Sequence, residues 1–358
     1  MIRDYSAFLP DVTPARRAPT ALERLGWGPA FACQIDVEAL TETPPVRVVA
    51  VHRSGLQVAG DGIDETIPPG PEATVGDWLL LDRARPRSSR VLDRKSLIKR
   101  RAPGTGREVQ LIAANIDTIF VVTSCNADFN VARLERYVAV AFEAGIEPMI
   151  VLTKADIAED TAPYIDAAQS VSERVPVVAL DARGAEPVEA LADWCKSGRT
   201  VAFLGSSGVG KSTLTNALLG TQAIATQGIR DDDAKGRHTT TRRELHATPS
   251  GCLVLDTPGM RELQLTHAAA GIADVFEDIK ALAANCRFTD CQHKTEPGCA
   301  ILAAIEDAGL DPARLARWRK LQAEDAFNSA SLAERREKDR AFGKLVRSAM
   351  KAKSDRER

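Results

Sequence analysis

Residues 205–212 read GSSGVGKS, and no other feature of the chain limits its fold as tightly. The string fits G-x-x-x-x-G-K-[ST], follows the apolar run TVAFL and opens the helix-forming stretch TLTNALLG. That context is what a phosphate loop requires. Glycines let backbone N–H groups turn inward around phosphates, Lys211 brings positive charge to the β- and γ-phosphates, and the Ser212 hydroxyl can ligate Mg²⁺. The helix that follows aims its positive end at the nucleotide. Gly205, Ser206, Ser207, Gly208, Val209, Gly210, Lys211, Ser212 and Thr213 are thus candidate nucleotide contacts. A loop of this kind sits on a parallel α/β sheet, and strand-like runs alternating with helical ones from about residue 110 to 268 predict that sheet.

A phosphate loop names neither the base nor the reaction. DTPG, Asp256 to Gly259, ends the apolar run CLVLD. An acidic residue there can hold Mg²⁺ through water, and the Gly259 N–H can meet the γ-phosphate. TKAD, Thr153 to Asp156, follows MIVL. The Asp156 carboxylate can accept from guanine N1–H and the exocyclic amine together, a donor pair adenine lacks. The Lys154 stem can lie across the base, with Ala155 between them. GTPases usually carry Asn where this chain has Thr153. Threonine is shorter and has no amide, so the base-edge contact and the tie to the phosphate loop stay open. In PVVALDARG the Ala179 N–H is the candidate donor to guanine O6, with Val178 where Ser is common.

The base-reading motif precedes the phosphate loop, which precedes DTPG, whereas the usual GTPase order puts base reading last. The sequence therefore predicts a circularly permuted sheet. Between the phosphate loop and DTPG lies IATQGIRDDDAKGRHTTTRRELH, a loop without apolar periodicity over its first half. Its HTTT supplies Thr240 as a candidate Mg²⁺ ligand beside Ser212. Met260 stands where many GTPases place a water-orienting Gln, which predicts slow intrinsic turnover and leaves His238 as the candidate catalytic residue beside Lys211.

Cys286, Cys291, His293 and Cys299 fall within fourteen residues, a Cys₃His set suited to one tetrahedral, structural Zn²⁺. The other four cysteines are scattered, with no disulfide framework expected in a reducing compartment. No run of eighteen apolar residues and no signal-peptide core is present, so the reading is cytoplasmic, with no membrane span.

Residues 31–109 hold short β-rich pieces between Gly, Pro and Asp turn clusters, which predicts a small all-β barrel of OB-fold type. Its last part, Arg83 to Arg107, is dense in Arg and Lys, either an RNA-binding surface of the kind OB-folds commonly use or a solvated basic loop. The formal net charge of −2 does not oppose that, since local stripes decide. Residues 1–30 form an N-terminal extension, in which Thr20 and Glu23 have capping-box spacing. Residues 269–331 read as mainly helical around the cysteine cluster. Residues 332–358 form a charged tail, either a solvated helix or a basic RNA contact.

GSSGVGKS, GRHTTT, DTPG and TKAD in permuted order, with CRFTDCQHKTEPGCA (Cys286–Ala300) and DFNVARLERY (Asp128–Tyr137), resemble one family closely. It is the circularly permuted GTPase family called ribosome small subunit-dependent GTPase A. The resemblance spans about residues 30–320. It implies an N-terminal OB-fold, a central permuted GTPase and a C-terminal zinc domain. It also implies hydrolysis of GTP in late maturation of the small ribosomal subunit, with contact to ribosomal RNA and stimulation by the subunit; the chain is read as a monomer. Two other classes are weighed against it. A kinase-like P-loop enzyme needs an acceptor pocket and lid that are not visible, and an RNA-binding scaffold with structural nucleotide does not need Lys211, Ser212 and Asp256 intact.

Overall fold

The computed structural model describes residues 17–36, 40, 42–52, 54–101, 109–221, 243–256, 265 and 267–329, with Arg101 and Asp256 described by their backbone. Two four-residue helices, α1 (Ala21–Arg24) and α2 (Pro29–Ala32), come first. The expected capping box starts α1: the Glu23 N–H donates to Thr20 Oγ1 at 3.1 Å and the Thr20 N–H to Glu23 Oε2 at 2.6 Å. Five strands follow, β1 (Pro45–His52), β2 (Gly55–Gly60), β3 (Ile63–Ile67), β4 (Trp78–Leu80) and β5 (Arg90–Val91). All their mutual pairings are antiparallel: β1 with β2 and β4, β2 with β3, β4 with β5. A separate hairpin, β6 (Leu97–Arg101) and β7 (Val109–Ala114), leads onward.

This N-terminal sheet does not close into the expected barrel among the described residues. β1 gives one edge to β2 and divides the other: Pro45–Arg47 faces β4, while Ala50 and Val51 pair with Glu244 and Arg243 farther along the chain. An exposed strand edge needs a partner, and β1 supplies one to the neighbouring sheet. One sheet of eleven strands results. Arg47, only 1% exposed, stitches the junction by donating to the carbonyls of Leu25 (2.6 Å), Asn115 (3.1 Å) and Gly76 (3.2 Å). Burial pulls its pKa down to about 10, which still leaves it charged near neutrality.

The central unit runs β8 (Thr118–Ser124), α3 (Val131–Glu143), β9 (Glu147–Thr153), α4 (Ala162–Gln169), β10 (Val177–Ala179), α5 (Glu186–Ala190), β11 (Thr200–Leu204), α6 (Lys211–Leu219), β12 (Arg243–Ala247) and β13 (Leu253–Asp256). In space the strand order is β10-β9-β8-β11-β13-β12, parallel except for β12. β8 and β11 are buried along their whole length, as expected of central strands covered on both faces. From β8 the chain winds outward to β10, then returns to start β11 on the other side of β8. That reversal is a topological switch point, where open α/β sheets bind ligands at the carboxyl ends of their strands.

Helix α3 shows why sequence and packing agree. Asn130 caps it by accepting the Arg133 N–H at 3.0 Å. Leu134, Tyr137, Val138 and Ala141, spaced i, i+3, i+4, i+7, are all buried. Against α3 lie α7 (Ala269–Val275) and, through Arg314 and Arg317, α10 (Pro312–Ser329), while α8 (Glu277–Ala283) packs with α9 (Ala300–Glu306). Gly271 of α7 meets α3 backbone to backbone. A Cβ there would come within 2.1 Å of the Ala139 carbonyl oxygen, so only glycine fits. Among the described residues no helix is long and apolar enough to cross a membrane.

Candidate functional site

The phosphate loop joins β11 to α6 at the switch point. At Gly205 a Cβ would fall 2.2 Å from the Val122 carbonyl oxygen, so the loop can lie against β8 only with glycine there. Gly210 takes φ +96° and caps α6, a left-handed turn that glycine adopts without penalty. Ser207 and Gly208 are exposed, while Ser206, Gly210, Lys211, Ser212 and Thr213 are half-buried. The Lys211 ammonium donates to the Gly205 carbonyl at 2.8 Å and also to that of Ser206. The lysine thus lies over the loop it would serve.

Strand β9 carries the second motif to the same edge. Thr153 is fully buried, with its Oγ1 2.6 Å from the Val209 carbonyl and 3.1 Å from that of Thr123. A hydroxyl has one proton, and the shorter contact goes to the phosphate loop. The tie that the sequence left open is therefore made by threonine. Lys154 then turns through φ 59°, ψ 29°, a left-handed conformation uncommon for lysine and of a kind concentrated at binding sites. Asp156 follows, and Arg183 donates to its carboxylate. Ala179 ends β10, paired level with Leu152 of β9. The loop after it brings Asp181 and Arg183 to the Asp156 side. Backbone and side-chain donors of Arg183 hold the Asp181 carboxyl below its usual range.

The backbone of Asp256 ends β13, directly beside β11, with Leu255 level with Ala202. Gly259, Met260, His238 and Thr240 lie outside the described residues. Two further side chains reach the site from afar. Arg133 of α3 donates to Ser206 Oγ at 2.5 Å, across 73 positions of sequence, and Arg183 reaches Asp156 across 27.

The cysteine cluster assembles apart from this edge, between α8 and α9. One ligand atom each from Cys286, Cys291, His293 and Cys299 all lie within 4.8 Å of one another. His293 Nδ1 is 3.6 Å from Cys286 Sγ and 3.5 Å from Cys299 Sγ, and the two sulfurs are 3.9 Å apart. Tetrahedral Zn²⁺ with ordinary bond lengths would set edges of about 3.6 Å for S···N and about 3.8 Å for S···S. Cys286, His293 and Cys299 fit such an ion, with Cys291 Sγ within 4.8 Å of the other three donors. Burial opposes ionisation of Cys286, but N–H groups of Ala300 and Ile301 at the start of α9 pull its thiol below the ordinary value. Glu296 accepts N–H groups of Lys294 (2.7 Å), Gln292 (2.9 Å) and Thr295 (3.0 Å), which folds the ligand loop. Its own backbone N–H, together with these three, draws its carboxyl down to about 2. Arg319 of α10 donates to the His293 carbonyl.

A model of the RsgA GTPase family matches residues 91–266. A relative from Vibrio parahaemolyticus called small ribosomal subunit biogenesis GTPase RsgA 2 is 47% identical over 342 residues, 94% of either chain. The chain belongs to the RsgA GTPase family. A relative from Mesorhizobium japonicum, called small ribosomal subunit biogenesis GTPase RsgA, is 47% identical over 90% of this chain and 94% of its own. Two solved structures share the fold. YjeQ from Thermotoga maritima has a TM-score of 0.55 at 24% identity, covering 77% of this chain and 96% of its own. YloQ, a circularly permuted GTPase, has 0.54 at 22%, covering 81% and 97%. As an RsgA GTPase family member, the chain keeps the permuted sheet, and its β8–β11 switch point is where the phosphate loop and the base-reading turn meet. Arg133 and Arg183 were not found by sequence reasoning. Arg133 lies within DFNVARLERY, one of the strings that carry the family resemblance.

Proposed function

We propose that this chain binds GTP at the β8–β11 switch point and hydrolyses it to GDP and phosphate, with stimulation by the small ribosomal subunit in whose late maturation it acts. The observation that carries the reading is the Thr153–Val209 hydrogen bond, which locks the base-reading turn to the phosphate loop as one nucleotide site. Asp156 reads guanine, the Lys154 stem and Ala155 border the base, and O6 takes the Ala179 N–H. The backbone of residues 205–213 cradles the phosphates, and Lys211 moves from its loop carbonyls to the β- and γ-phosphates. Ser212 and Thr240 would hold Mg²⁺, with Asp256 behind water; the ion neutralises phosphate charge when bound. Gly259 senses the γ-phosphate. His238 orients the water for in-line attack.

The names and extents of the relatives support the subunit as partner. The Arg- and Lys-rich segment from Arg83 to Arg107 supports ribosomal RNA contact through the N-terminal strands, read as an OB-type unit. The Cys₃His cluster holds one structural Zn²⁺. The chain works as a cytoplasmic monomer organised as 1–30, 31–109, 110–268, 269–331 and 332–358. The first test is turnover of GTP against ATP by wild type and Lys211→Ala. GTP-selective hydrolysis lost in the variant supports the reading; ATP turnover of equal rate refutes it.

A further inference from the structure

One guanidinium joins two carboxylates at the base-reading edge. Arg183 Nη2 donates to Asp156 Oδ2, and its Nε donates to Asp181 Oδ1 at 3.1 Å. The Arg183 backbone N–H also donates to Asp181 Oδ1, at 3.0 Å, and Glu186 Oε2 accepts the Asp181 N–H at 3.1 Å. The loop after β10 is thereby folded on itself, so that the arginine projects toward the turn after β9.

Three consequences follow from elementary chemistry. Asp156 and Asp181 carry like charges at one end of the sheet, and without a cation between them each would push the other away. A carboxylate has about four acceptor positions. A single arginine N–H on Oδ2 leaves both oxygens able to accept from a ligand. Thr153, committed to Val209, lends Asp156 no amide or hydroxyl support.

We propose that Arg183 is a specificity-determining positioning residue. By bridging Asp181 and Asp156 it holds the base-reading carboxylate in the one plane that meets N1–H and the exocyclic amine of guanine together. A base offering N1–H alone makes one hydrogen bond, which tolerates rotation of the carboxylate; the paired contact does not. Arg183 therefore sets the preference for guanine over hypoxanthine. This inference rests on the assignment of Asp156 as base reader.

The test uses the full-length protein and dissociation constants for GDP and inosine diphosphate, with wild type, Arg183→Met, Arg183→Lys and Asp156→Asn, each checked for an unchanged unfolding midpoint. Arg183→Met should weaken GDP by about fivefold, the scale of one exposed ion pair, and leave inosine diphosphate nearly unmoved. Arg183→Lys, keeping the charge without the fork, should restore part of the preference. An unchanged GDP-to-inosine-diphosphate ratio in Arg183→Met overturns the inference, whether both affinities hold or fall together. Tighter GDP binding also overturns it, because Arg183 would then be a competitor for Asp156. Asp156→Asn separates the two claims. If guanine preference survives that change, the assignment of Asp156 fails; if it collapses there but not in Arg183→Met, only the role of Arg183 fails.

Discussion

The Thr153 hydroxyl lies 2.6 Å from the Val209 carbonyl, joining the end of β9 to the phosphate loop inside a fully buried contact. A buried carbonyl deprived of its donor costs about 1–3 kcal/mol. Thr153→Val keeps the shape and removes the donor, so it should weaken GDP binding by roughly tenfold. Thr153→Ser keeps the hydroxyl and should stay near wild type. Titration calorimetry on both variants checks this; equal affinity of the Val and Ser forms would contradict it.

Arg133 gives the phosphate loop a second anchor. Its guanidinium donates to Ser206 Oγ at 2.5 Å from the first turn of α3. Arg133→Met should lower GDP affinity about fivefold, for a loss of roughly 1 kcal/mol in a half-exposed charged contact. Dissociation rates of a fluorescent GDP analogue should rise by the same factor.

The other face of α3 bears the C-terminal helices. Glu135 is fully buried and accepts from Arg317 Nε at 2.9 Å and Arg314 Nη1 at 3.3 Å, both from α10. Glu135→Ala leaves two arginines without their shared carboxylate, and breaking such a buried cluster costs about 3–5 kcal/mol. A double-mutant cycle with Arg317→Ala should show strong coupling, the double variant being less destabilised than the sum of the singles. Additive losses in denaturant unfolding would contradict the contact.

Motif order and the permuted sheet were legible in the sequence because a phosphate loop, a candidate base-reading turn and a cysteine-rich loop are local: each packs its chemistry into a few consecutive residues. Cys286 to Cys299 could be read as one centre from spacing alone, and the four donors do meet. What could not be read were contacts that depend on which strands become neighbours. Arg183 reaches Asp156 only because β10 pairs with β9, and Arg133 reaches Ser206 only because β8 and β11 are adjacent. Among the described residues the expected barrel does not close, for the same reason. Alternating apolar residues in PVRVVAVH define a strand but not its partners, and Ala50–Val51 pairs with β12.

Metal removal tests the C-terminal centre. The purified protein should carry one zinc per chain, and Cys299→Ala should lose it. Stripping the ion with a chelator should raise amide exchange in α8, α9 and the start of α10 while sparing β8 and β11, since binding energy at such a site is folding energy for the segments it joins. Unchanged exchange after complete metal loss would contradict a structural role.

The most direct test of the proposed function is steady-state GTP hydrolysis by the full-length protein, alone and with purified small subunits, large subunits or whole ribosomes. The account predicts slow turnover alone and strong stimulation by small subunits but not by large ones. Equal rates with and without small subunits would contradict it.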